Sequence, residues 1–322
     1  MTTQTPKTSA IKVRGLRKSF GKRLVLDGID LDVPEGTVFA LLGPNGAGKT
    51  TAIHILTTLL APDAGEILVG GHDVVRRADA VRRLIGLTGQ VSAVDAQFTG
   101  EENLRLMADL HHLGRDRGRA RVTELLERFD LIDDAGKPAA TYSGGMRRRL
   151  DLAMTLMGDP RIIFLDEPTT GLDPRSRRVM WDTIRDLAAG GTTILLTTQY
   201  LEEADRLANG IAMLDGGRVV AQGTPGELKR LVPGGNVRLE FGDAAGLERA
   251  ALALGADLAS RDDASLALEL PNEGGVHALR ELFQRLDTAG VEVEALSVRS
   301  ADLDDVFLSL TGRRDGQEVP TP

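Results

Sequence analysis

The sequence predicts an α/β domain followed by a smaller α+β domain, and three observations lead there. Short apolar runs alternate with helical patterns over residues 11–232. Several of those runs are continuously apolar rather than alternating. A cluster of turn residues, Val232-Pro233-Gly234-Gly235-Asn236, then precedes a restart of the pattern on a smaller scale. Continuous apolar strands separated by helices imply a largely parallel sheet covered on its faces. A chain of 322 residues is long enough for two cores.

Taken in order, Ile11–Arg14, Val25–Val33 and Thr37–Leu42 read as strands, and Gly48–Leu59 as a helix. Helical spacing then covers Gly100–His112, Asp116–Phe129 and Gly145–Gly158. Arg161–Leu165 is a buried strand, Ser176–Ala188 a helix and Thr192–Thr197 a second buried strand. Ile211–Leu214 and Arg218–Ala221 flank Asp215-Gly216-Gly217, a hairpin turn signal. In the smaller domain, 236–311, three sets alternate with polar residues: Val237, Leu239 and Phe241; Leu266, Leu268 and Leu270; and Val291, Val293 and Ala295. Helical stretches Ala245–Leu254 and Val276–Asp287 lie between them, a pattern resembling a ferredoxin-like split βαβ. Asp302–Leu310 reads as a closing helix with Leu303, Val306, Phe307 and Leu310 on one face. Residues 1–10 and 312–322 are expected to be disordered.

Composition excludes several classes of function. Hydrophobic content of 42% and charged content of 27% are those of a globular protein. No run approaches the roughly 18 apolar residues of a membrane span, and Met1–Ala10 is polar without a signal-peptide core. Work at a membrane would therefore need another chain to span it. The absence of cysteine excludes disulfides and thiolate chemistry, and the five histidines show no metal-ligand spacing. Residues 236–322 hold 8 basic and 17 acidic side chains, against 31 and 30 in the rest. That acidic C-terminal surface argues against a nucleic-acid partner.

The segment Gly43-Pro44-Asn45-Gly46-Ala47-Gly48-Lys49-Thr50 fits G-x-x-x-x-G-K-[ST] between an apolar strand and a helix carrying Ile53 and Leu56. Glycines there let consecutive backbone N–H groups curl around a phosphate at a helix N-terminus. Lys49 would reach the β and γ phosphates, and the Thr50 hydroxyl would hold Mg²⁺. Ile162–Leu165 is an apolar strand that delivers Asp166 and Glu167 at its C-terminal end, where open α/β sheets bind ligands. Asp166 suits Mg²⁺, and Glu167 suits a group that orients or deprotonates the attacking water. Tyr142-Ser143-Gly144-Gly145-Met146 opens a helix with two glycines, which are costly inside one unless a backbone must approach something closely. Ser143 can cap that helix while hydroxyl and N–H groups face an anion.

The order of phosphate loop, Gln90, Ser-Gly-Gly, strand with Asp-Glu and Gly171-Leu172-Asp173 resembles the ATP-binding subunit of an ABC transporter. The resemblance implies a P-loop NTPase fold of the ABC type, ATP and Mg²⁺ as ligands, and ATP hydrolysis. It implies that Gln90 touches Mg²⁺ and the attacking water, that Phe20 stacks on adenine, and that Gly43, Asn45, Gly46, Gly48, Lys49, Thr50 and Thr51 bind the nucleotide. Ser143, Gly144 and Gly145 match the family's signature, which departs here at Tyr142 and Met146, and Asp173 lies in the loop that communicates between paired sites. Where most of the family has a histidine at the γ-phosphate, this chain has Gln199, which can donate a hydrogen bond but not become cationic.

Tyr142-Ser-Gly-Gly-Met-Arg-Arg-Arg149, Gly171-Leu-Asp-Pro-Arg-Ser176, Thr197-Thr-Gln-Tyr-Leu-Glu-Glu-Ala-Asp205 and Leu303-Asp-Asp-Val-Phe-Leu-Ser-Leu-Thr311 are similar to the daunorubicin-resistance branch. The family resemblance implies a second copy of the chain forming an ATP sandwich, and an integral-membrane permease holding both at the cytoplasmic face of the membrane. Cargo would be a drug, antibiotic or other hydrophobic compound; a lipid or polysaccharide exporter, an importer, and a soluble ABC-type ATPase uncoupled from transport are the competing readings. Arg147-Arg148-Arg149 points three ways around a helix and is expected on a solvated or partner-facing surface.

Overall fold

A computed structural model describes residues 8–232, 235–255, 260–272, 275–299 and 302–311. The chain divides into two units between Pro225 and Gly226, ahead of the Pro233-Gly234 cluster that the sequence singles out. Disorder expected for 1–7 and 312–322 lies outside the described residues. Residues 8–10 correct the expected N-terminal boundary: Ser9 and Ala10 already belong to a strand, and Thr8 accepts a backbone bond from Glu35.

In the first unit, β1 (Ser9–Phe20) and β2 (Arg23–Pro34) pair antiparallel through a tight hairpin. They form a four-stranded sheet with β4 (Ala64–Val69) and β5 (His72–Asp73), in the order β2-β1-β4-β5. The second sheet carries β3 (Val38–Leu42), β6 (Ile85–Thr88), β7 (Ile162–Asp166), β8 (Thr193–Thr198), β9 (Gly210–Asp215) and β10 (Arg218–Gly223), in the order β10-β9-β3-β8-β7-β6. All of its neighbours are parallel except the β9–β10 hairpin. The first two strands, read in line with the others, do not join the parallel sheet. β1 and β2 alternate buried and exposed residues along much of their length, the pattern of a sheet with one wet face, whereas β3, β7 and β8 are buried throughout.

Between the two sheets lies α1 (Lys49–Leu56), whose Ala52, Ile53, Ile55 and Leu56 are wholly buried. They share one core with Ile11, Val13, Leu26 and Ile29 on the antiparallel side and Phe164, Leu195 and Ala212 on the parallel side. A helix with so much apolar surface to bury belongs in such a sandwich. The remaining helices are α2 (Ala78–Arg82), α3 (Gly100–Leu110), α4 (Arg115–Arg128), α5 (Gly144–Thr155), α6 (Pro174–Ala189) and α7 (Leu201–Leu207). Thr99 closes a capping box on Glu102 at the start of α3, and Ser143 caps α5.

In the second unit, which follows the division inside α8 (Pro225–Lys229), β11 (Gly235–Glu240), β12 (Ser260–Asp262), β13 (Ala267–Asn272) and β14 (Ala295–Arg299) form an antiparallel sheet ordered β12-β13-β11-β14. With α9 (Ala244–Leu254) and α10 (Gly275–Thr288) inserted, this is the ferredoxin-like βαββαβ arrangement, and α11 (Leu303–Thr311) follows it. Its core gathers Val237, Leu239, Phe241, Leu247, Leu254, Leu268, Leu270 and Leu286. The last strand lies later than its alternation implies, because Val291 is buried in the approach to β14 rather than within it.

Candidate ATP site

Four parallel strands, β3, β8, β7 and β6, end on the same edge of the sheet. That edge receives the phosphate loop after β3, Gln199 after β8, Asp166 and Glu167 at the end of β7, and Gln90 shortly after β6. One cavity of about 560 Å³ is lined by Phe20, Arg23, Val25, Asn45, Gly46, Gly48, Lys49, Thr50, Thr51, Gln90 and Glu167. Most of the sequence-selected nucleotide residues thus meet in one place.

The loop's glycines have separate reasons to be glycine. Gly46 and Gly48 take positive φ of 80° and 107°. A Cβ on Gly43 would lie 2.2 Å from the Leu214 carbonyl oxygen, so the loop can pass close to β9 only without a side chain. Lys49 is 4% exposed, donates to the carbonyls of Gly43 (2.8 Å) and Pro44 (3.0 Å), and places Nζ 3.5 Å from Glu167 Oε1. Glu167 itself holds φ at +48°, a conformation costing a non-glycine residue about 1–3 kcal/mol. Its N–H donates to the Thr197 carbonyl (3.2 Å) and Oγ1 (3.0 Å), and its Oε2 accepts from the Thr170 hydroxyl at 3.2 Å. Asp166 is 1% exposed and accepts from the Thr197 hydroxyl at 2.5 Å. Phe20 is 51% exposed inside this cavity with Lys18 Nζ 5.6 Å from its ring centre, so it is a cavity wall rather than a core aromatic.

The signature residues lie in a second cavity of about 270 Å³, lined among others by Ser143, Gly145, Met146, Arg149, Arg175 and Ser176. Ser143 Oγ accepts the Met146 N–H (3.2 Å), leaving its own O–H to donate. Gly144 has open space where a Cβ would stand, whereas one on Gly145 would meet Ser176 Oγ at 2.4 Å. Tyr142 is buried, with its hydroxyl donating to the Asp134 carbonyl at 2.8 Å beside Gly100, and burial pushes its pKa up. Asp173 caps α6: its carboxylate accepts from Arg175 N, Ser176 N (both 3.0 Å) and the Ser176 hydroxyl (2.5 Å). The Ser176 bonds hold its carboxyl below the usual range. Gln199 is half-buried just beyond β8 and lies outside the described lining of the phosphate cavity; the cap of α7 is Tyr200, without a side-chain bond.

Arg148 overturns the surface expected for the arginine run. Its side chain is 11% exposed and donates to main-chain carbonyls of Gly89, Pro168 and Asp166, beside the buried Asp151. Burial pulls the guanidinium's pKa down and pushes the Asp151 carboxyl up, each opposed by the other's charge. An acid inside the apolar run Leu150-Asp151-Leu152 was the available signal, since a charge in a core needs a partner. Two more residues escaped sequence reading. Arg23 lines the phosphate cavity because it is Phe20's cross-strand neighbour. Glu203, wholly buried, accepts from Thr169 Oγ1 (2.8 Å) and Trp181 Nε1 (2.9 Å).

Residues 26–170 match the family described as ABC transporter. A daunorubicin resistance ATP-binding protein of Streptomyces coeruleorubidus is 52% identical over 94% of this chain and 96% of its own length. The chain belongs to the ATP-binding subunits of ABC transporters. It falls in the daunorubicin-resistance branch and is an ATPase. A daunorubicin/doxorubicin resistance ATP-binding protein of Streptomyces peucetius is 47% identical over 96% of this chain and 94% of that one. A Nod factor export ATP-binding protein of Ralstonia nicotianae is 39% identical over 95% of each. Among solved structures, an ATP-binding subunit of an ABC transporter superposes with TM-score 0.62 and 29% identity, covering 69% of this chain and 93% of that one. As a member of this family, the chain binds ATP.

The donor set also fits Mg²⁺: a threonine hydroxyl, a glutamine amide and a carboxylate at one strand edge are hard oxygen ligands. Among the described residues no group of three or more His, Asp or Glu forms a cage of its own. Magnesium in phosphate sites is held by one or two protein oxygens together with the phosphates, so none is needed. Among the described residues no helix is long and apolar enough to cross a membrane.

Proposed function

We propose that this ATPase powers export of a drug, antibiotic or other hydrophobic compound through a separate membrane-spanning permease, at the cytoplasmic face of the membrane. The observation carrying this reading is the pair of separate cavities, one holding every candidate hydrolytic group except Gln199 and Asp166, the other holding the signature. Two copies in head-to-tail orientation would set each signature against the other's phosphates and enclose two ATP molecules. Extended identity to daunorubicin-resistance proteins supports the export direction and the class of cargo. The Nod factor export relative favours a second reading, the same machine with a different cargo.

Within the cavity, backbone N–H groups of the loop and Lys49 take the β and γ phosphates, Phe20 and Arg23 flank the base end, and Thr51 and Asn45 border the loop. As Lys49 turns to phosphate, its contact with Glu167 loosens, and the carboxylate is free to accept a water proton. The water oxygen bonds to the γ phosphorus, the bond from that phosphorus to the bridging oxygen breaks, and ADP leaves with the bridging electrons. Thr50, Gln90 and Asp166 would hold magnesium, which when bound neutralises phosphate charge. Gln199 donates to the γ-phosphate, and Ser143, Gly144 and Gly145 of the second copy complete the donor shell. Asp173, through its cap on α6, holds the loop between the two sites.

The test is ATP-dependent pairing of the purified Glu167→Gln chain, followed by light scattering. Dimers with ATP and monomers with ADP are expected. Monomers under both conditions would remove the sandwich.

A further inference from the structure

Arg148 sits five positions after Ser143 on α5, and its guanidinium reaches both segments that carry this chain's own hydrolytic groups. Nε donates to the Pro168 carbonyl at 2.9 Å. Nη1 donates to the Gly89 carbonyl at 2.8 Å and lies 3.4 Å from Asp151 Oδ2. Nη2 donates to the carbonyls of Asp166 at 3.1 Å and, more weakly, Glu167 at 3.4 Å. Asp151 is 3% exposed and fixes the far side: its Oδ1 accepts the Ala93 N–H at 3.2 Å. One planar fork therefore ties the residue before Gln90, both residues of the Asp166-Glu167 pair and the turn after them to the signature helix.

These acceptors are main-chain oxygens, so Arg148 sets where the backbone runs, not what the side chains are. A guanidinium presents five N–H donors in a rigid plane, which a lysine ammonium cannot reproduce. Glu167 stands in the left-handed region, where a backbone needs holding from outside itself. We propose that Arg148, anchored by Asp151, is a positioning residue that locks the Gln90 and Glu167 backbones to the Ser143–Gly145 helix, so that engagement of the signature aligns the hydrolytic groups of the same chain. This rests on the sandwich reading above: in a head-to-tail pair, the helix serves the other copy's ATP while the residues it holds serve its own. Arg148 is then a link by which one ATP site informs the other.

The experiment compares wild type, Arg148→Lys, and the double variant Arg148→Gln with Asp151→Asn, each purified with its permease. The double variant removes both buried charges together and leaves no unpaired ion, so it retains the fold. A fluorescent ATP analogue measures binding, and steady-state hydrolysis gives kcat, KM and the Hill coefficient. The expected result is nucleotide affinity within twofold of wild type, kcat lowered about tenfold or more in both variants, and a Hill coefficient falling towards one. Wild-type kcat and cooperativity in the double variant would overturn the proposal. So would affinity and kcat falling by the same factor, the mark of a general scaffold residue. A wild-type Hill coefficient of one, with ATP hydrolysis intact, would instead refute the sandwich reading and the linkage with it.

Discussion

The phosphate cavity and the signature cavity are built on different elements. The first, about 560 Å³, closes around a buried lysine and glutamate 3.5 Å apart, with hydroxyls and an amide on its walls. The second, about 270 Å³, presents a capped helix start with Gly145, and Arg128, Arg149 and Arg175 around a single acid, Asp130. The carboxylate placed to take a proton, Glu167, lies in the first, together with Lys49, Arg23 and the Thr50 and Thr51 hydroxyls; the capped helix start lies in the second. Separate placement of the two is the division expected if hydrolysis needs one of each from different molecules. Substitutions in the two should therefore fail differently.

The largest effect belongs to the first cavity. Glu167→Gln keeps the size and the acceptor oxygen but cannot take a proton, so kcat should fall about 10²–10³-fold with ATP affinity retained. Equal loss of binding, measured by equilibrium titration, would mean that the carboxylate's part is its contact with Lys49. At the signature the two glycines separate activity from stability. Gly145→Ala drives a methyl into Ser176 and should cost about 1–3 kcal/mol of stability, read as a lower melting temperature. Gly144→Ala meets nothing in its own chain and should melt at or above wild type; if the proposed sandwich forms, its new methyl would face the other copy's ATP and cooperative hydrolysis should be lost. Full activity in Gly144→Ala would leave the signature cavity without its partner.

The two cavities were not equally legible in the sequence. The phosphate loop and the Asp166-Glu167 strand end are local: each element follows from residues within about ten positions, and both appear where spacing places them. The signature needed its neighbours, since Ser-Gly-Gly opens many helices. What escaped altogether is what crosses the chain. β4 and β6 are short and irregularly patterned, and the antiparallel sheet of β1, β2 and β4 depends on pairings such as Val13 with Ile67, some fifty residues apart. Arg148 reads as one of three solvated or partner-facing arginines because helix geometry says which way it points, not that Gly89 and Pro168 lie there to receive it.

Gln199 tests the edge of the first cavity from the β8 side. If its amide donates to the γ-phosphate, Gln199→Ala should lower kcat about tenfold, the worth of one charge-assisted bond of about 1.5 kcal/mol, and Gln199→His should preserve it. Equal turnover in wild type and the alanine variant would exclude the γ-phosphate role and confine Gln199 to the turn before α7.

Glu203 should give the smallest effect, and it concerns stability rather than turnover. Burial pushes its carboxyl above the ordinary 4.5, against the hydrogen bonds and the charge of Arg177 that favour ionisation. Below pH 4.5 the group is protonated in folded and unfolded chains alike, so burial adds no ionic cost. Above it the unfolded chain gives up its proton first, the folded chain holds on, and stability declines until the buried group also ionises. Glu203→Gln keeps an oxygen to accept from Thr169 and Trp181 and removes the titration. The variant should therefore match or exceed wild type in melting temperature at pH 7, the advantage narrowing as pH falls towards 4.5. A variant that is less stable at pH 7 than at pH 4.5, relative to wild type, would mean that the ionised carboxylate strengthens those two bonds by more than its burial costs. Glu203 would then be a charged clamp between α6 and the loop following Glu167, and the first cavity would owe part of its shape to it.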